Sequence, residues 1–235
     1  MPKKSPLWRE AAIGAATYAA VLLVGRAATR PAGREAALKN SRRLYELEKR
    51  LGIQPVYRLH QACTGHTKLV KGSHAAYMVM NVGLTAGWLV KLYAAGHPEY
   101  RRFRRATVLA ALAAQPAFLF FPCAPPRKLE EFVDTGIKVG GVDFESRQAS
   151  QLYNPLAAMP SIHVTLAVVT AAGIAETTGS RLVKRLIRRY PAAVTLVVIA
   201  TGNHFVLDTI AGGLLGRAAL RLAKYVRQGD PPGRR

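Results

Sequence analysis

Apolar and polar positions alternate along the chain in long blocks. Six blocks are predominantly apolar: 10–26, 74–93, 105–122, 158–177, 190–203 and 205–221. Blocks that approach the roughly 20 residues needed to cross a bilayer predict transmembrane helices, and flanking arginines and tyrosines can extend the shorter ones. We therefore predict an all-α, multi-pass transmembrane helical bundle of about six spans. The last two blocks nearly meet at His204, which predicts a helical hairpin with a tight turn at Gly202 and Asn203.

A polar segment, residues 27–73, separates the first two apolar blocks. Its centre, AALKNSRRLYELEKRLGI, carries Leu44, Leu47 and Leu51 at helical spacing among charged residues. This pattern predicts an amphipathic helix, with Pro55 at its far end, that lies either at the membrane interface or packed over the spans. The chain then divides into a first transmembrane helix with an interfacial segment (1–73), a transmembrane core (74–221) and a basic tail (222–235).

The chain is strongly basic: 34 lysines and arginines oppose 13 acidic residues, for a formal net charge of +21. Such a charge fits a nucleic-acid binder or a protein at an anionic membrane. The basic residues cluster between the apolar blocks, which is typical of membrane proteins and argues against nucleic acid as a partner. The positive-inside rule places the clusters at 101–105 and 181–189 in the cytoplasm. We expect a multi-pass plasma-membrane protein with the 122–157 loop outside and anionic lipids as partners; its oligomeric state stays open.

Cysteine use is sparse. Cys63 and Cys123 are far apart and form no C-x-x-C motif, so a structural zinc site is not expected. We predict no metal and no cofactor. Both cysteines fall on the predicted outer side, where two free thiols and a disulfide are both compatible with the sequence.

Three strongly polar residues lie at the outer ends of predicted spans: His163, His204 and Asp208. Ionisable residues in spans are costly and by default mark function. His204 and Asp208 are four residues apart, so they share one helix face. The carboxylate can then accept the N–H of one ring nitrogen and leave the other free to attack. We predict these three residues as catalytic; a helix-face pair and a capping histidine are the structural alternatives.

The residues around His163 predict an anion site at the start of a helix. Pro160 suits a first helical turn, whose free amides and positive dipole end favour a bound anion, and Ser161 adds a hydroxyl.

A basic loop precedes this site and ends in Pro126-Arg127-Lys128. An arginine fork matches the geometry of a phosphate and stabilises charge that develops on its oxygens. We predict that Arg127, Lys128, Ser161 and Asn203 bind substrate; an ordinary juxtamembrane anchor is the alternative for Arg127.

The strings FFPCAPPR (120–127), NPLAAMPSIH (154–163) and TGNHFVLDTIAGG (201–213) resemble the three ordered motifs of the type 2 phosphatidic acid phosphatase superfamily. They are most similar to its subgroup related to inositol phosphorylceramide synthase, and the resemblance covers roughly residues 74–220.

The resemblance implies six helices, an outward-facing active site and no metal. It implies that His204 is the nucleophile that forms a phosphohistidine and that Asp208 orients it. His163 would protonate the leaving oxygen and later activate the incoming water or alcohol. Arg127, with the helix amides near Ser161, would hold the phosphate.

The sequence departs from the family pattern at two cationic positions. Phe120 stands where the first motif usually has a lysine, and Val198 stands where the third motif usually has an arginine. Arg127 is then the best candidate for the phosphate clamp, with three further cations in reserve: Lys128, Lys138 and Arg147.

These observations predict an integral membrane phosphatase or phosphotransferase that acts on lipid or polyprenyl phosphate esters at the outer membrane face. Water as acceptor makes the protein a phosphatase; an inositol, sugar or lipid hydroxyl makes it a phosphotransferase. The alternatives from other classes are a non-catalytic protein that binds anionic lipid and a soluble nucleic-acid binder.

Overall fold

The structure is a computed structural model that describes residues 4–53, 57–137, 151 and 153–228. The described residues form an all-α fold, as predicted. The helices are α1 (Leu7–Ala28), α2 (Pro31–Arg50), α3 (Tyr57–Thr64), α4 (Thr67–Ala94), α5 (Tyr100–Ala113), α6 (Gln115–Phe120), α7 (Ile162–Thr177), α8 (Arg181–Ile187), α9 (Tyr190–Ala200) and α10 (Val206–Gln228). A 3-10 turn covers Pro126–Lys128.

The centre of the fold is the close packing of α10 on α7. An added Cβ on Gly212 would come within 2.4 Å of the Ser161 carbonyl oxygen, and one on Gly216 within 2.8 Å of the Thr165 carbonyl oxygen. The Thr165 hydroxyl donates to the Gly212 carbonyl at 3.0 Å. Small residues four apart therefore let the two helix backbones touch, as this spacing predicts.

The predicted spans correspond to helices, although several are shorter than expected. The block 105–122 is divided between α5 and α6, which meet at Ala114 just before Pro116. Proline lacks the N–H that a continuous helix needs at this point. Within the described residues, α1 is the one helix long and apolar enough to cross a membrane, a property that signal sequences share. The count of six spans therefore stays a prediction.

The predicted amphipathic helix is present as α2, but its buried face differs from the prediction. Leu44 is buried, whereas Leu47 and Leu51 are 46% and 56% exposed. Leu44 shares its buried face with four mostly small or polar residues: Ala37, Asn40, Ser41 and Glu48. The helix ends at Arg50, and Pro55 lies outside the described residues.

Polar side chains, and not leucines, occupy most of the buried face of α2, because this helix packs on irregular loops whose backbone groups need hydrogen-bond partners. The Asn40 amide donates to the Pro122 carbonyl at 2.9 Å, and the Ser41 hydroxyl donates to the Ala124 carbonyl at 2.7 Å. The contacts favour the packed alternative for the buried face of α2. The arginines and leucines of its opposite face are exposed.

A cluster of ion pairs lies at the C-terminal end of α7. The Arg102 guanidinium donates to Glu176 at 2.7 Å and to Glu99 at 2.9 Å. Arg104 donates to Glu10 of α1 at 2.6 Å. His163 lies in the first turn of α7 and Glu176 in its last turn, so the predicted catalytic residues and this cluster of ion pairs lie at opposite ends of the helix.

Candidate active site

The first two motifs are joined by a short parallel bridge between their loops. The Cys123 amide donates to the Leu156 carbonyl at 2.9 Å, and the Ala158 amide donates to the Cys123 carbonyl at 3.0 Å. Cys123 is buried and its thiol is free, as is that of Cys63. Burial raises the pKa of the Cys123 thiol, so the group stays protonated and packs as a small apolar side chain.

The second and third motifs are joined where α7 and α10 begin. The Ser161 amide donates to the Asp208 carbonyl at 2.9 Å. Ser161 is the N-cap of α7, and its hydroxyl accepts from the Val164 amide at 3.4 Å. The expectation that Pro160 lies in the first helical turn is wrong: α7 begins at Ile162, because the buried Ser161 side chain takes the capping position.

The three residues predicted as catalytic lie together at this junction. Nδ1 of His163 is 3.3 Å from Nε2 of His204. Nδ1 of His204 is 2.9 Å from the Ala158 carbonyl oxygen and 3.4 Å from Oδ2 of Asp208. A carbonyl and a carboxylate only accept, so Nδ1 of His204 carries the proton and Nε2 offers its lone pair towards His163.

Asp208 is fully buried and contacts both the nucleophile candidate and the backbone. Its Oδ2 accepts from the Phe205 amide at 2.9 Å, which is shorter than its distance to His204. Its Oδ1 accepts no hydrogen bond from the described part of the chain. The Asp208 carboxylate and the Ala158 carbonyl therefore both lie at Nδ1 of His204. The Ala158 carbonyl could not be found from the sequence, because backbone acceptors leave no side-chain signal.

His204 lies in the turn between α9 and α10, and the predicted turn at Gly202 and Asn203 is present there. Gly202 has φ +68°, and an added Cβ would meet Cε1 of His60 at 2.9 Å. The Val198 carbonyl accepts from the amides of Asn203 and His204 at 2.9 and 3.1 Å. Burial lowers the pKa of His204, which favours the neutral ring that a nucleophile requires.

Arg127 is the predicted clamp residue that the fold brings to this turn. Its amide donates to the Gly202 carbonyl at 3.0 Å, and its guanidinium donates to the Asn203 side chain. The guanidinium is buried and stands beside the residue that precedes His204. Arg127 and Asn203 are therefore brought together as one polar group at the edge of the site.

Lys128 turns towards a different partner, Asp134. Its ammonium donates to Oδ2 of Asp134 at 3.0 Å, and Nε of Arg127 is 3.9 Å from Oδ1 of the same carboxylate. Burial alone would raise the pKa of Asp134, but the hydrogen bonds from Lys128 and from the Ile137 amide lower it. Asp134 thus carries a negative charge next to both predicted cations, and the sequence analysis did not identify it.

The remaining candidate cations are not part of the described site. Lys138 and Arg147 lie outside the described residues. Phe120, at the position where the family usually has a lysine, is 81% exposed, and Val198, at the position of the usual arginine, is fully buried. Among the described residues, His, Cys, Asp and Glu side chains form no group of three or more that could hold a metal ion.

His60 is a further buried residue that supports the site. Its Nδ1 donates to the Ala200 carbonyl at 2.9 Å, and its Nε2 accepts from the Val133 amide at 3.2 Å. Burial lowers the pKa of this imidazole. One ring nitrogen donates and the other accepts, which is the hydrogen-bonding pattern of a neutral ring. His60 thereby connects α3 with the loop after Lys128 and with the end of α9.

The fold and the site define an all-α protein with two histidines and a buried carboxylate at the junction of two packed helices. The chain belongs to the PAP2 superfamily, whose profile matches residues 42–222, more than half of the 235 residues. This superfamily consists in general of phosphatase-type enzymes that are typically membrane proteins. No curated protein and no solved structure matches the chain. The match begins before residue 74, so the second half of α2 and all of α3 belong to the matched region.

Proposed function

We propose that this protein is an integral membrane phosphatase or phosphotransferase that cleaves lipid or polyprenyl phosphate esters through a phosphohistidine at His204. The observation that carries the proposal is the orientation of the His204 ring. Its Nδ1 donates to the Ala158 carbonyl and faces Asp208, while its Nε2 lies 3.3 Å from Nδ1 of His163. A buried imidazole held in this tautomer is a nucleophile beside a proton donor.

The proposed reaction has two balanced steps. In the first, Nε2 of His204 forms a bond to phosphorus, the bond from phosphorus to the ester oxygen breaks, and protonated His163 gives its proton to that leaving oxygen. In the second, His163 removes a proton from water or an alcohol, whose oxygen bonds to phosphorus while the bond from phosphorus to His204 breaks. The products are the lipid alcohol and either inorganic phosphate or a new phosphate ester.

An in-line displacement requires the leaving oxygen on the far side of phosphorus from the attacking nitrogen. The phosphoryl group therefore enters between the rings of His163 and His204 and ends their direct contact. Arg127, held by Asn203, supplies a cation for the phosphate, and the start of α7 at Ser161 supplies the positive end of a helix. Lys128 contributes less charge, because Asp134 already neutralises it.

We further propose that the site faces the extracytoplasmic side of the plasma membrane. The ion pairs of Arg102 and Arg104 mark the opposite end of the bundle, and the positive-inside rule favours the cytoplasm for that basic end. The exposed basic face of α2 would contact anionic lipids on the side of the site. Long apolar substrates would reach the histidines from the bilayer.

Hydrolysis and transfer share the phosphohistidine, so the acceptor distinguishes the two functions. The motif resemblance to the inositol phosphorylceramide synthase subgroup favours an inositol or sugar hydroxyl. The second candidate is a non-catalytic protein that binds anionic lipid. The pairing of His163 with His204 argues against it, because lipid binding needs no nucleophile.

The experiment measures phosphate release from phosphatidic acid and polyprenyl phosphate in detergent micelles by the wild type and His204→Ala, with EDTA present. Release by the wild type and none by the variant is the expected result. Diversion of phosphate to added inositol would make the protein a transferase. Equal release by wild type and variant would rule out His204 as nucleophile, and binding without turnover would favour the lipid-binding alternative.

A further inference from the structure

Glu48 is a fully buried carboxylate on the inner face of α2, and the reaction proposed above does not use it. Its Oε1 accepts from the Leu207 amide at 2.7 Å. Its Oε2 accepts from the Tyr57 hydroxyl of α3. Three helices, α2, α3 and α10, thus meet at the Glu48 carboxylate. Glu48 and Leu207 are 159 residues apart in the chain.

The Leu207 amide belongs to the first turn of α10, where backbone N–H groups have no partner within the helix. Asp208, the next residue, binds the Phe205 amide with its own carboxylate. Two carboxylates therefore bind the amides at the start of α10: one from the helix itself and one from α2. Negative charge at this end also interacts favourably with the helix dipole.

The first turn of α10 carries the groups that orient His204. Asp208 is 3.4 Å from Nδ1 of His204, and its backbone carbonyl accepts from the Ser161 amide at the start of α7. A shift of this turn would change the distance between Asp208 and His204. Because the Asp208 carbonyl binds the Ser161 amide, it would also move the start of α7 and with it His163. Glu48 holds this turn from α2, through the Leu207 amide.

We propose that Glu48 is a positioning residue for the reaction, which holds the start of α10 so that His204 and His163 keep their mutual geometry. The inference rests on the proposed function. It gives α2 a specific role: the helix that covers the loops also sets the position of the catalytic turn.

The choice of a carboxylate here is not explained by packing. Glu48 binds Tyr57, which belongs to the same buried apolar cluster as Leu44. Burying an ion is far less favourable than burying a leucine of similar volume. Burial is the main cause that raises the pKa of Glu48 to about 7, and the charge of Asp208 adds to it. The charge of Glu48 also contributes to the raised pKa of the Cys123 thiol.

The test replaces Glu48 by leucine and by glutamine. Leucine removes the buried charge and the acceptor for Leu207, whereas glutamine keeps an acceptor oxygen for that amide. Glu46→Leu and Glu46→Gln are matched controls, because Glu46 is exposed on the same helix and pairs with Lys49. For each variant kcat and KM for dioctanoyl phosphatidic acid are measured in detergent micelles, together with thermal unfolding.

We expect Glu48→Leu to lower kcat by about tenfold or more, since small displacements of reacting groups lower rates by up to about a hundredfold. KM should change by less than about twofold. Thermal unfolding should shift only modestly, because leucine suits a buried position but leaves the Leu207 amide and the Tyr57 hydroxyl without their acceptor. Glu48→Gln should restore kcat to within about threefold of the wild type. The Glu46 variants should match the wild type.

Wild-type kcat in a folded Glu48→Leu protein would overturn the inference and leave the proposed function standing. A loss of stability in Glu48→Leu with unchanged kcat would overturn it equally, because that result describes a structural residue. If Glu48→Leu does not fold, Tyr57→Phe is measured instead, because it removes one hydrogen bond to Glu48. A severalfold fall in kcat would support the positioning role of Glu48, and wild-type kcat would overturn it. No phosphate release by the wild type would overturn the proposed function, and the inference with it.

Discussion

The two ends of α7 bury polar side chains in opposite ways. At its C-terminal end, the buried Arg102 donates to Glu99 and Glu176, so its charge is paired, although its Nε has no hydrogen-bond partner among the described residues. At its N-terminal end, the buried Asp208 faces a neutral histidine and an amide, and its Oδ1 has no partner among the described residues. Paired charges stabilise a fold, whereas a buried carboxylate beside a neutral histidine is expected where that histidine becomes positively charged in the proposed reaction.

The two ends of α7 should therefore respond differently to mutation. Variants at the N-terminal end should change turnover more than stability. Variants at the C-terminal end should change stability more than turnover.

The largest effect is expected for His163→Ala. Loss of a general acid lowers kcat by about 10²–10⁴-fold. The variant should lose much less activity on p-nitrophenyl phosphate, whose leaving group needs no proton, than on phosphatidic acid. Measuring kcat on both substrates checks this. An equal loss on both substrates would contradict proton donation by His163.

Arg127→Ala should come next. Removing a donor that stabilises developing charge on the phosphate raises the activation free energy by about 2–4 kcal/mol. The guanidinium is held by Asn203 at the edge of the site, so the loss should appear in kcat/KM for every phosphate ester tested. An unchanged kcat/KM would indicate that Lys128, Lys138 or Arg147 holds the phosphate in place of Arg127.

The pH dependence of stability offers a third test. The pKa of Glu48 is about 7 in the folded protein, against 4.5 for an unperturbed carboxyl. Between these values the folded protein holds a proton that the unfolded chain has released, so the free energy of unfolding falls as pH rises towards about 7. The fall attributable to Glu48 is about 3 kcal/mol. Chemical denaturation at several pH values should show it in the wild type and in Glu46→Gln but not in Glu48→Gln.

The smallest effect on turnover is expected at the opposite end of α7. Arg102→Ala removes hydrogen bonds to two carboxylates and should lower the free energy of unfolding by about 1–3 kcal/mol. The value is moderate because Glu176 is half exposed and regains water. The kcat of the folded variant should equal that of the wild type; a large fall in kcat would mean that the two ends of α7 are coupled.

The sequence predicted much of this protein because its signals are local. Apolar blocks predicted the helices, the pair Gly202 and Asn203 predicted the turn, and three motifs predicted the superfamily. Two expectations were wrong for local reasons as well. Pro160 precedes α7 because Ser161 caps it, and Leu47 is exposed because α2 binds loops through polar side chains.

Three residues that were not identified from the sequence, Ala158, His60 and Glu48, have partners that are distant in the chain. Asp134 differs from them, because its partner Lys128 is only six residues away. Ala158 accepts from His204 across 46 residues, and His60 donates to Ala200 across 140. Glu48 had one usable signal: it lies four residues after Leu44, on the buried side of the helix. A charged residue at such a position indicates a specific buried partner.

The sequence by itself predicted the helical class, the superfamily and the candidate set His163, His204 and Asp208, whose side chains the structure brings together. Helix periodicity and motif spacing depend on neighbouring residues, so a linear pattern records them. Only the tertiary structure decided that the Ala158 carbonyl holds His204 more closely than Asp208 does. It alone decided that Glu48 binds the first turn of α10, because these contacts depend on how separate helices and loops pack together.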